Sequence, residues 1–172
     1  MTDILIALWL IFPAYVANAS PVIFRGRIPI DFGKTWHGRP LLGKGKTWSG
    51  LFGGTAAGIA TGFIMNELYP SFGEGIGAVS VLFSLSFGAL LGDLFKSFLK
   101  RRIGKQRGEH WIVADQIDFL LGAFLLCFVL NRAWFMANFT IYHILFLLIF
   151  TPLLHVATNI LAYVLKLKKV PW

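Results

Sequence analysis

The sequence has 172 residues, of which 56% are hydrophobic and 14% are charged, and its formal net charge is +8. Soluble domains carry about 25% charged residues, so this composition excludes an ordinary soluble globule and predicts an integral membrane protein. In a membrane protein an excess of lysine and arginine more often lies in cytoplasmic loops than in a nucleic-acid-binding surface, and we expect no nucleic-acid partner. The single cysteine, Cys127, excludes an internal disulfide.

Five apolar segments are long enough to cross a bilayer, since a membrane helix needs about 20 predominantly apolar residues. They lie at about 4–24, 51–69, 76–99, 111–130 and 141–165. We therefore predict one all-α integral membrane domain over 1–172, with five transmembrane helices and two longer loops at 25–50 and 100–112.

The basic residues lie almost entirely in connections on one side of this predicted bundle. They are Arg25, Arg27, Lys34, Arg39, Lys44 and Lys46 in the first loop, Lys96, Lys100, Arg101, Arg102, Lys105 and Arg107 around the second, and Lys166, Lys168 and Lys169 after the last segment. The remaining connections hold only Arg132. Because cytoplasmic loops are enriched in lysine and arginine, we predict an outside N-terminus, a cytoplasmic C-terminus and a cell-membrane location.

Glycine recurs at every fourth position through the second segment, at Gly50, Gly54, Gly58 and Gly62. This spacing puts small residues on one helical face, which lets a second helix approach closely. The pattern predicts tight helix packing, either within the chain or between two copies, and so leaves a homodimer open.

Three aspartates stand at the edges of apolar segments. Asp93 lies near the cytoplasmic end of the third segment, and Asp115 and Asp118 share one face at the start of the fourth. A charge deep in a span costs roughly 2.5–3.5 kcal/mol, which makes such residues functional candidates. Helix capping would explain one of the paired aspartates but not both together with Asp93. The short connection brings the carboxylates together, and Mg²⁺ prefers such oxygens, so we predict that all three acids bind Mg²⁺ and are catalytic.

Basic residues flank these acids. Lys100, Arg101 and Arg102 follow Asp93, and Lys46 lies in the first loop within a glycine-rich repeat, GKTWHG and GKTWSG. Acids for a metal and bases for phosphate form the charge pattern of a nucleoside triphosphate site. We therefore predict that Lys100 is catalytic together with the acids, and that Lys100, Arg101 and Arg102 bind the nucleotide. The repeat does not match a P-loop, because the glycine required upstream is missing. We expect a flexible loop whose amides and lysines can hold phosphates.

Other polar residues near the predicted site carry weaker signals. Asn18 interrupts the first segment and is predicted to line the same cavity, and Thr47 joins its neighbour Lys46 in the predicted nucleotide-binding set. A simpler interpretation of the bases, including Lys96, is that they set topology and contact lipid head groups. The sequence defines no role for three further residues, Lys34, His37 and the lone histidine His110.

Several motifs resemble those of a known enzyme family. They are GKTWSG with a following glycine pair (Gly45–Gly54), GDL-x-KS-x-LKR (Gly92–Arg101), D-x-ID (Asp115–Asp118) and YVANASP (Tyr15–Pro21). Together they resemble the CDP-diglyceride synthase superfamily and, more closely, its archaeal branch, the CDP-archaeol synthases. The resemblance covers nearly the whole chain.

This resemblance implies a Mg²⁺-dependent cytidylyltransferase in membrane phospholipid biosynthesis, which makes a CDP-lipid and pyrophosphate from CTP and a geranylgeranyl diether glycerol phosphate. The implied partners are CTP, that ether lipid and the surrounding membrane lipids. The three aspartates match the family's metal-binding acids, and Lys46, Ser97 and Lys100 match positions that hold the nucleotide phosphates. Gln106 and Gln116 depart from the bacterial pattern and fit the archaeal branch better.

The sequence leaves three other interpretations open. A CTP-dependent polyprenol kinase has similar charge requirements but releases CDP instead of pyrophosphate. A proton or cation transporter would also use intramembrane acids, although the outer side offers only Glu67 and Glu74 and no inverted repeat is visible. A structural membrane protein that binds acidic lipids through its basic loops predicts no nucleotide specificity.

Overall fold

The computed structural model describes residues 3–24, 26–105, 109 and 114–164. These residues form six α-helices: α1 (Asp3–Ala19), α2 (Trp48–Leu68), α3 (Gly75–Arg102), α4 (Ala114–Leu130), α5 (Arg132–Asn138) and α6 (Ile141–Val164). A 3-10 turn at Ser20–Val22 follows α1, and an antiparallel hairpin of β1 (Thr35–Trp36) and β2 (Arg39–Pro40) precedes α2. Outside the described residues lie the predicted segment ends at Trp111 and Leu165, and also Arg25, Arg107, His110, Lys166, Lys168 and Lys169.

The predicted all-α membrane class is confirmed. Three helical stretches of the described residues are long and apolar enough to cross a membrane: Ile4–Val22, Gly75–Arg102 and Ile141–Thr158. α2 is less apolar because it contains many glycines, and α4 is described over only 17 residues. Neither helix is therefore both long and apolar enough to be counted among the three. The number of spans and their orientation therefore stay predictions, although α1, α2, α3, α4 and α6 overlap the five predicted segments.

α3 is the central helix of the bundle and packs against α1, α2 and α4. The core between these helices is apolar, and its fully buried side chains include Leu10, Ile11, Leu82, Leu85 and Phe119. Lipid tails are as apolar as these side chains, so close packing between helices, more than burial from water, holds such a bundle together.

The glycine face of α2 packs within the chain. A Cβ at Gly54 would lie 2.8 Å from the Ala17 carbonyl oxygen of α1, and a Cβ at Gly58 would lie 2.5 Å from Ser86 Oγ of α3. Both distances are below 3.0 Å, which real Cβ atoms essentially never show. The predicted tight packing is confirmed, and because α1 and α3 occupy this face, the face itself gives no support for a homodimer.

A second close approach joins α3 to α4. A Cβ at Gly92 would lie 2.1 Å from the Asp118 carbonyl oxygen, and one at Gly122 would lie 2.2 Å from the Gly88 carbonyl oxygen. The backbones of the two helices are therefore in direct contact, and no larger residue fits without moving them. This contact places the turn that carries Asp93 beside the turn that carries Asp118.

Candidate functional site

The three predicted acids lie around one ammonium group, that of Lys96. Its Nζ is 3.1 Å from Asp93 Oδ1, 3.4 Å from Asp115 Oδ1 and 2.7 Å from Asp118 Oδ2. Asp93 and Lys96 are neighbours because they are three residues apart on α3, and the glycine contact brings α4 against that face. The acids are thus brought together as the short connection predicts.

Two further lysines contact the same acids. Lys46, from the loop before α2, forms an ion pair with Asp93 Oδ2. Lys100 Nζ lies 2.7 Å from Asp115 Oδ1 and also donates a hydrogen bond of 2.8 Å to the Glu109 carbonyl oxygen. Three ammonium groups therefore face three carboxylates, and the loop, α3 and α4 each contribute to the cluster. We call these six residues the acid–lysine cluster.

The donor set of this cluster fits Mg²⁺, which takes carboxylate oxygens as protein ligands. The Asp118 side chain is only 7% exposed, and its buried Oδ1 has no hydrogen-bond partner among the described atoms. A buried polar atom of this kind calls for a cation or a donor. As the side chains stand, no three histidine, cysteine or acidic residues in the described ranges are close enough to hold one metal ion; the Lys96 ammonium lies among the carboxylates instead.

Three other predicted site residues contact no side chain of the acid–lysine cluster among the described hydrogen bonds and ion pairs. Ser97 is buried and donates a hydrogen bond of 2.9 Å to the Asp93 carbonyl oxygen, one turn earlier in α3. Thr47 caps α2, since its Oγ1 accepts a hydrogen bond of 3.2 Å from the Gly50 amide. Asn18 is half-buried on α1 and does not line the described cavities beside the acids. Their roles toward a nucleotide stay predictions.

Arg102 is directed at the hairpin before α2. Its guanidinium donates hydrogen bonds of 2.7 Å, 3.1 Å and 2.6 Å to the carbonyl oxygens of Trp36, Arg39 and Pro40. The same group lies over the rings of Trp36 and Phe98, with its Cζ 5.1 Å and 5.3 Å from the ring centroids. Arg102 thereby fixes the hairpin to the end of α3.

Arg101 and Asp31 hold the segment that follows the hairpin. Arg101 Nε donates a hydrogen bond of 3.3 Å to the Leu42 carbonyl oxygen. The buried Asp31 carboxylate accepts hydrogen bonds from three backbone amides, those of Gly33 at 3.0 Å, Leu42 at 2.9 Å and Gly43 at 2.8 Å. The loop that was expected to be flexible is therefore tied together by specific hydrogen bonds, and it carries Lys46 to Asp93.

The ionisation of Asp31 reflects these bonds. Burial raises the pKa of this carboxyl, but the amides of Gly43, Leu42 and Gly33 outweigh burial and hold the pKa below its ordinary value of 3.8. The motifs of the sequence do not identify Asp31 as a functional residue. The aspartate two residues before Gly33 is a signal for a local side-chain turn, whereas the bonds to the two later amides leave no sequence signature.

An apolar cavity of about 1150 Å³ opens beside the acid–lysine cluster, between α3, α4 and the loop before α2. Its wall includes Lys96 and Asp118, and most of the remaining lining is apolar, from residues such as Leu91, Phe95 and Leu121. Phe95 is 63% exposed, so the cavity is open on the outer side of the bundle. A much smaller cavity, of about 40 Å³, lies between the loop and Asp93.

Comparison with known proteins supports the same assignment as the motifs. Residues 1–172 match the family model described as CarS-like, CDP-archaeol synthase. Relatives named CDP-archaeol synthase include one from Pyrococcus horikoshii, 46% identical over 100% of this chain and 99% of its own length, and one from Methanoculleus marisnigri, 43% identical over 93% and 99%.

A solved structure described as "Structural insight into an intramembrane enzyme for archaeal membrane lipids biosynthesis" is also similar. It superposes with a TM-score of 0.77 and 38% identity, over 90% of this chain and 92% of that one. The resemblance inferred from the motifs is thus confirmed over the full length. The chain therefore belongs to the CDP-archaeol synthase family of cytidylyltransferases.

Proposed function

We propose that this protein transfers the cytidylyl group of CTP to the phosphate of a geranylgeranyl diether glycerol phosphate, giving a CDP-lipid and pyrophosphate with Mg²⁺ as the cofactor. The reaction would take place at the cytoplasmic end of a five-span bundle in the cell membrane. The bases that surround the acids and the family membership both favour this reaction over transport.

The observation that carries the proposal is that the acid–lysine cluster borders directly on the apolar cavity. Lys96 and Asp118 belong to both. A charged cluster suits a triphosphate and a lipid phosphate, while an apolar space open to the side suits a hydrocarbon chain that stays in the bilayer. The lining from Ile117 to Val129 runs about 18 Å along α4 at 1.5 Å per residue, which is long enough for much of an isoprenoid chain.

The chemistry requires positioning more than covalent assistance. An oxygen of the lipid phosphate forms a bond to the α-phosphorus of CTP, and the bond from that phosphorus to the bridging oxygen breaks in line, so that pyrophosphate leaves with the electron pair. The attacking phosphate is already anionic at neutral pH, so no catalytic base is needed. Lys46 and Lys100 hold the phosphates and offset the charge that develops on them.

Asp93, Asp115 and Asp118 are the residues that would hold Mg²⁺. When bound, the ion supplies charge neutralisation for the triphosphate and its leaving group. In this proposal Ser97 and Thr47 stay in the nucleotide-binding set with Lys46, while Arg101 and Arg102 act on the nucleotide through the loop that they anchor.

The test is turnover by the purified protein with CTP, Mg²⁺ and either a diether or a diacyl glycerol phosphate, with EDTA as the metal-free control. We expect Mg²⁺-dependent release of pyrophosphate, formation of a CDP-lipid, and a higher rate with the diether. Release of CDP without pyrophosphate would instead establish a kinase. No nucleotide conversion by folded protein would refute the transferase and favour the transporter.

A pair of variants ties turnover to the cluster. Asp93→Asn removes one carboxylate charge, and we expect a loss of about a hundredfold or more, the scale seen when one electrostatic contact to the transition state is removed. Glu74→Gln is the matched control, because Glu74 is exposed at the opposite end of α3. Near-normal turnover by Asp93→Asn would refute the assignment of Asp93.

A further inference from the structure

Lys96 is placed differently from a residue that only sets topology. Its side chain is 14% exposed and lies between α3 and α4, in contact with three carboxylates. A topology determinant needs only to reach the interface and the lipid head groups. A buried ammonium loses hydration, and contacts with opposite charges are what make that position stable.

Lys96 differs from the other two lysines of the acid–lysine cluster in the number of acids that it contacts. Lys46 contacts Asp93, and Lys100 contacts Asp115. Among the described residues, only Lys96 forms an ion pair with Asp118, and only Lys96 bridges both helices through all three acids. Without its ammonium, three carboxylates would face one another with two cations at the edges.

We propose that Lys96 is a built-in counter-cation that holds the three carboxylates together while no metal is bound, and that a divalent cation must displace its ammonium to reach them. The displaced ammonium is then available to the triphosphate that arrives with the metal. This inference rests on the proposed function for the identity of that nucleotide, but the competition between ammonium and metal for the same oxygens does not depend on it.

The proposal predicts effects of opposite sign on metal and nucleotide. Removing the Lys96 charge takes away a cation that repels the incoming ion, so a divalent cation alone should bind more tightly. The same change removes a positive charge that would face the triphosphate, so CTP should bind more weakly. A residue that only supports the fold would weaken both, and a residue that only sets topology would change neither.

The experiment measures Mn²⁺ binding to purified protein without CTP or lipid, from the electron paramagnetic resonance signal of the free ion, and CTP binding in a separate titration. The variant is Lys96→Met, which keeps an unbranched side chain of similar length. The matched control is Lys44→Met, because Lys44 is exposed in the loop and its loss changes the net charge equally. We expect Mn²⁺ to bind Lys96→Met about tenfold or more tightly than wild type, since like charges this close repel strongly.

Thermal unfolding in EDTA gives a second readout. Lys96→Met should unfold at a lower temperature than Lys44→Met, and Mn²⁺ should raise that temperature more for Lys96→Met than for wild type. If Lys96→Met does not fold, the double variant Lys96→Met/Asp118→Asn removes one charge of each sign and should restore folding. Failure of this rescue would overturn the proposal.

Equal Mn²⁺ affinity in Lys96→Met, Lys44→Met and wild type would also overturn it, as would weaker binding of both Mn²⁺ and CTP to Lys96→Met. These outcomes distinguish failure of the counter-cation proposal from failure of the proposed transferase function. Tighter Mn²⁺ binding by Lys96→Met in a protein that makes no CDP-lipid would support the counter-cation and refute the transferase. If the wild-type protein converts CTP to a CDP-lipid but Lys96→Met binds Mn²⁺ as the wild type does, the transferase is supported and the counter-cation is refuted.

Discussion

Arg102 provides the sharpest test of how the loop is held in place. The substitution Arg102→Lys keeps the positive charge but replaces a planar fork, which reaches three carbonyl oxygens, with a single ammonium group. Hydrogen bonds from charged donors contribute about 1.5–3 kcal/mol when buried. Arg102 is half-buried, so we take about 1 kcal/mol for each bond.

Lysine can keep one of the three hairpin bonds, so the substitution removes about 2 kcal/mol of them. The guanidinium also lies over the rings of Trp36 and Phe98, and such contacts contribute about 0.5–1 kcal/mol at exposed sites, part of which lysine retains. The hairpin should therefore detach from α3 about 30 times more often, since 1.4 kcal/mol is a factor of ten.

The assay is amide hydrogen exchange of the loop. The Leu41 amide donates a hydrogen bond of 3.0 Å to the Lys34 carbonyl oxygen across the base of the hairpin. Because an isolated two-stranded hairpin is at best marginally stable in water, detachment from α3 exposes this amide, and its exchange should accelerate about 30-fold in Arg102→Lys. Arg132→Lys is the matched control, because Arg132 contacts only one ring, that of Phe128, among the described cation–ring pairs. Weaker CTP binding with unchanged exchange at Leu41 would show that Arg102 binds the nucleotide directly and would refute the anchoring role.

Two further predictions follow from the helix contact and the loop. Gly122→Ala forces a Cβ against the backbone of α3, so it should lower the free energy of unfolding by about 1–3 kcal/mol and reduce turnover, as measured by denaturant unfolding and pyrophosphate release. The control Gly77→Ala, whose Cβ would meet nothing within 4 Å, should change neither stability nor turnover. Equal stability and turnover of the two variants would contradict the helix contact. The pKa of Asp31 is lowered in the folded protein, so its stabilisation is complete above the ordinary pKa of 3.8 and is lost as the pH falls through the lower folded value. Asp31→Asn should therefore unfold more easily than wild type near neutral pH, and the difference in thermal unfolding should shrink below about pH 4; a constant difference would contradict this role.

The sequence supports the helical class and the convergence of the acids because both follow from local rules. Apolar length identifies helices that can cross a membrane, and a short connection brings the end of α3 beside the start of α4. Gly58 belongs to a regular pattern within one segment, and its packing was predictable. Gly122 belongs to no such pattern, and its close contact was not predictable. The contact depends on which helix lies opposite, and that is a property of the assembled bundle.

Contacts of the bases could not be predicted from charge alone. The positive-inside rule explains any lysine or arginine near a cytoplasmic helix end, so it cannot tell a residue that faces lipid from one that faces a carboxylate. For this reason the topology role of Lys96 stays an open alternative from the sequence, although its spacing from Asp93 is visible there. Arg101 and Arg102 were assigned to phosphate, because a guanidinium that binds backbone carbonyls gives the same sequence signal.

Helix geometry and side-chain chemistry together explain how the four basic residues of α3 divide their roles. Lys96 and Lys100 are four residues apart and share the face that meets α4, whereas Arg101 and Arg102 are rotated by about 100° and 200° from Lys100 and meet the loop. The compact ammonium suits a cluster of carboxylates, and the planar guanidinium fork suits several carbonyl oxygens at once. Replacing the lysines that face α4 with arginine, or the arginines that face the loop with lysine, would therefore preserve the net charge and the topology signal while removing the contacts that hold the acids and the loop in place.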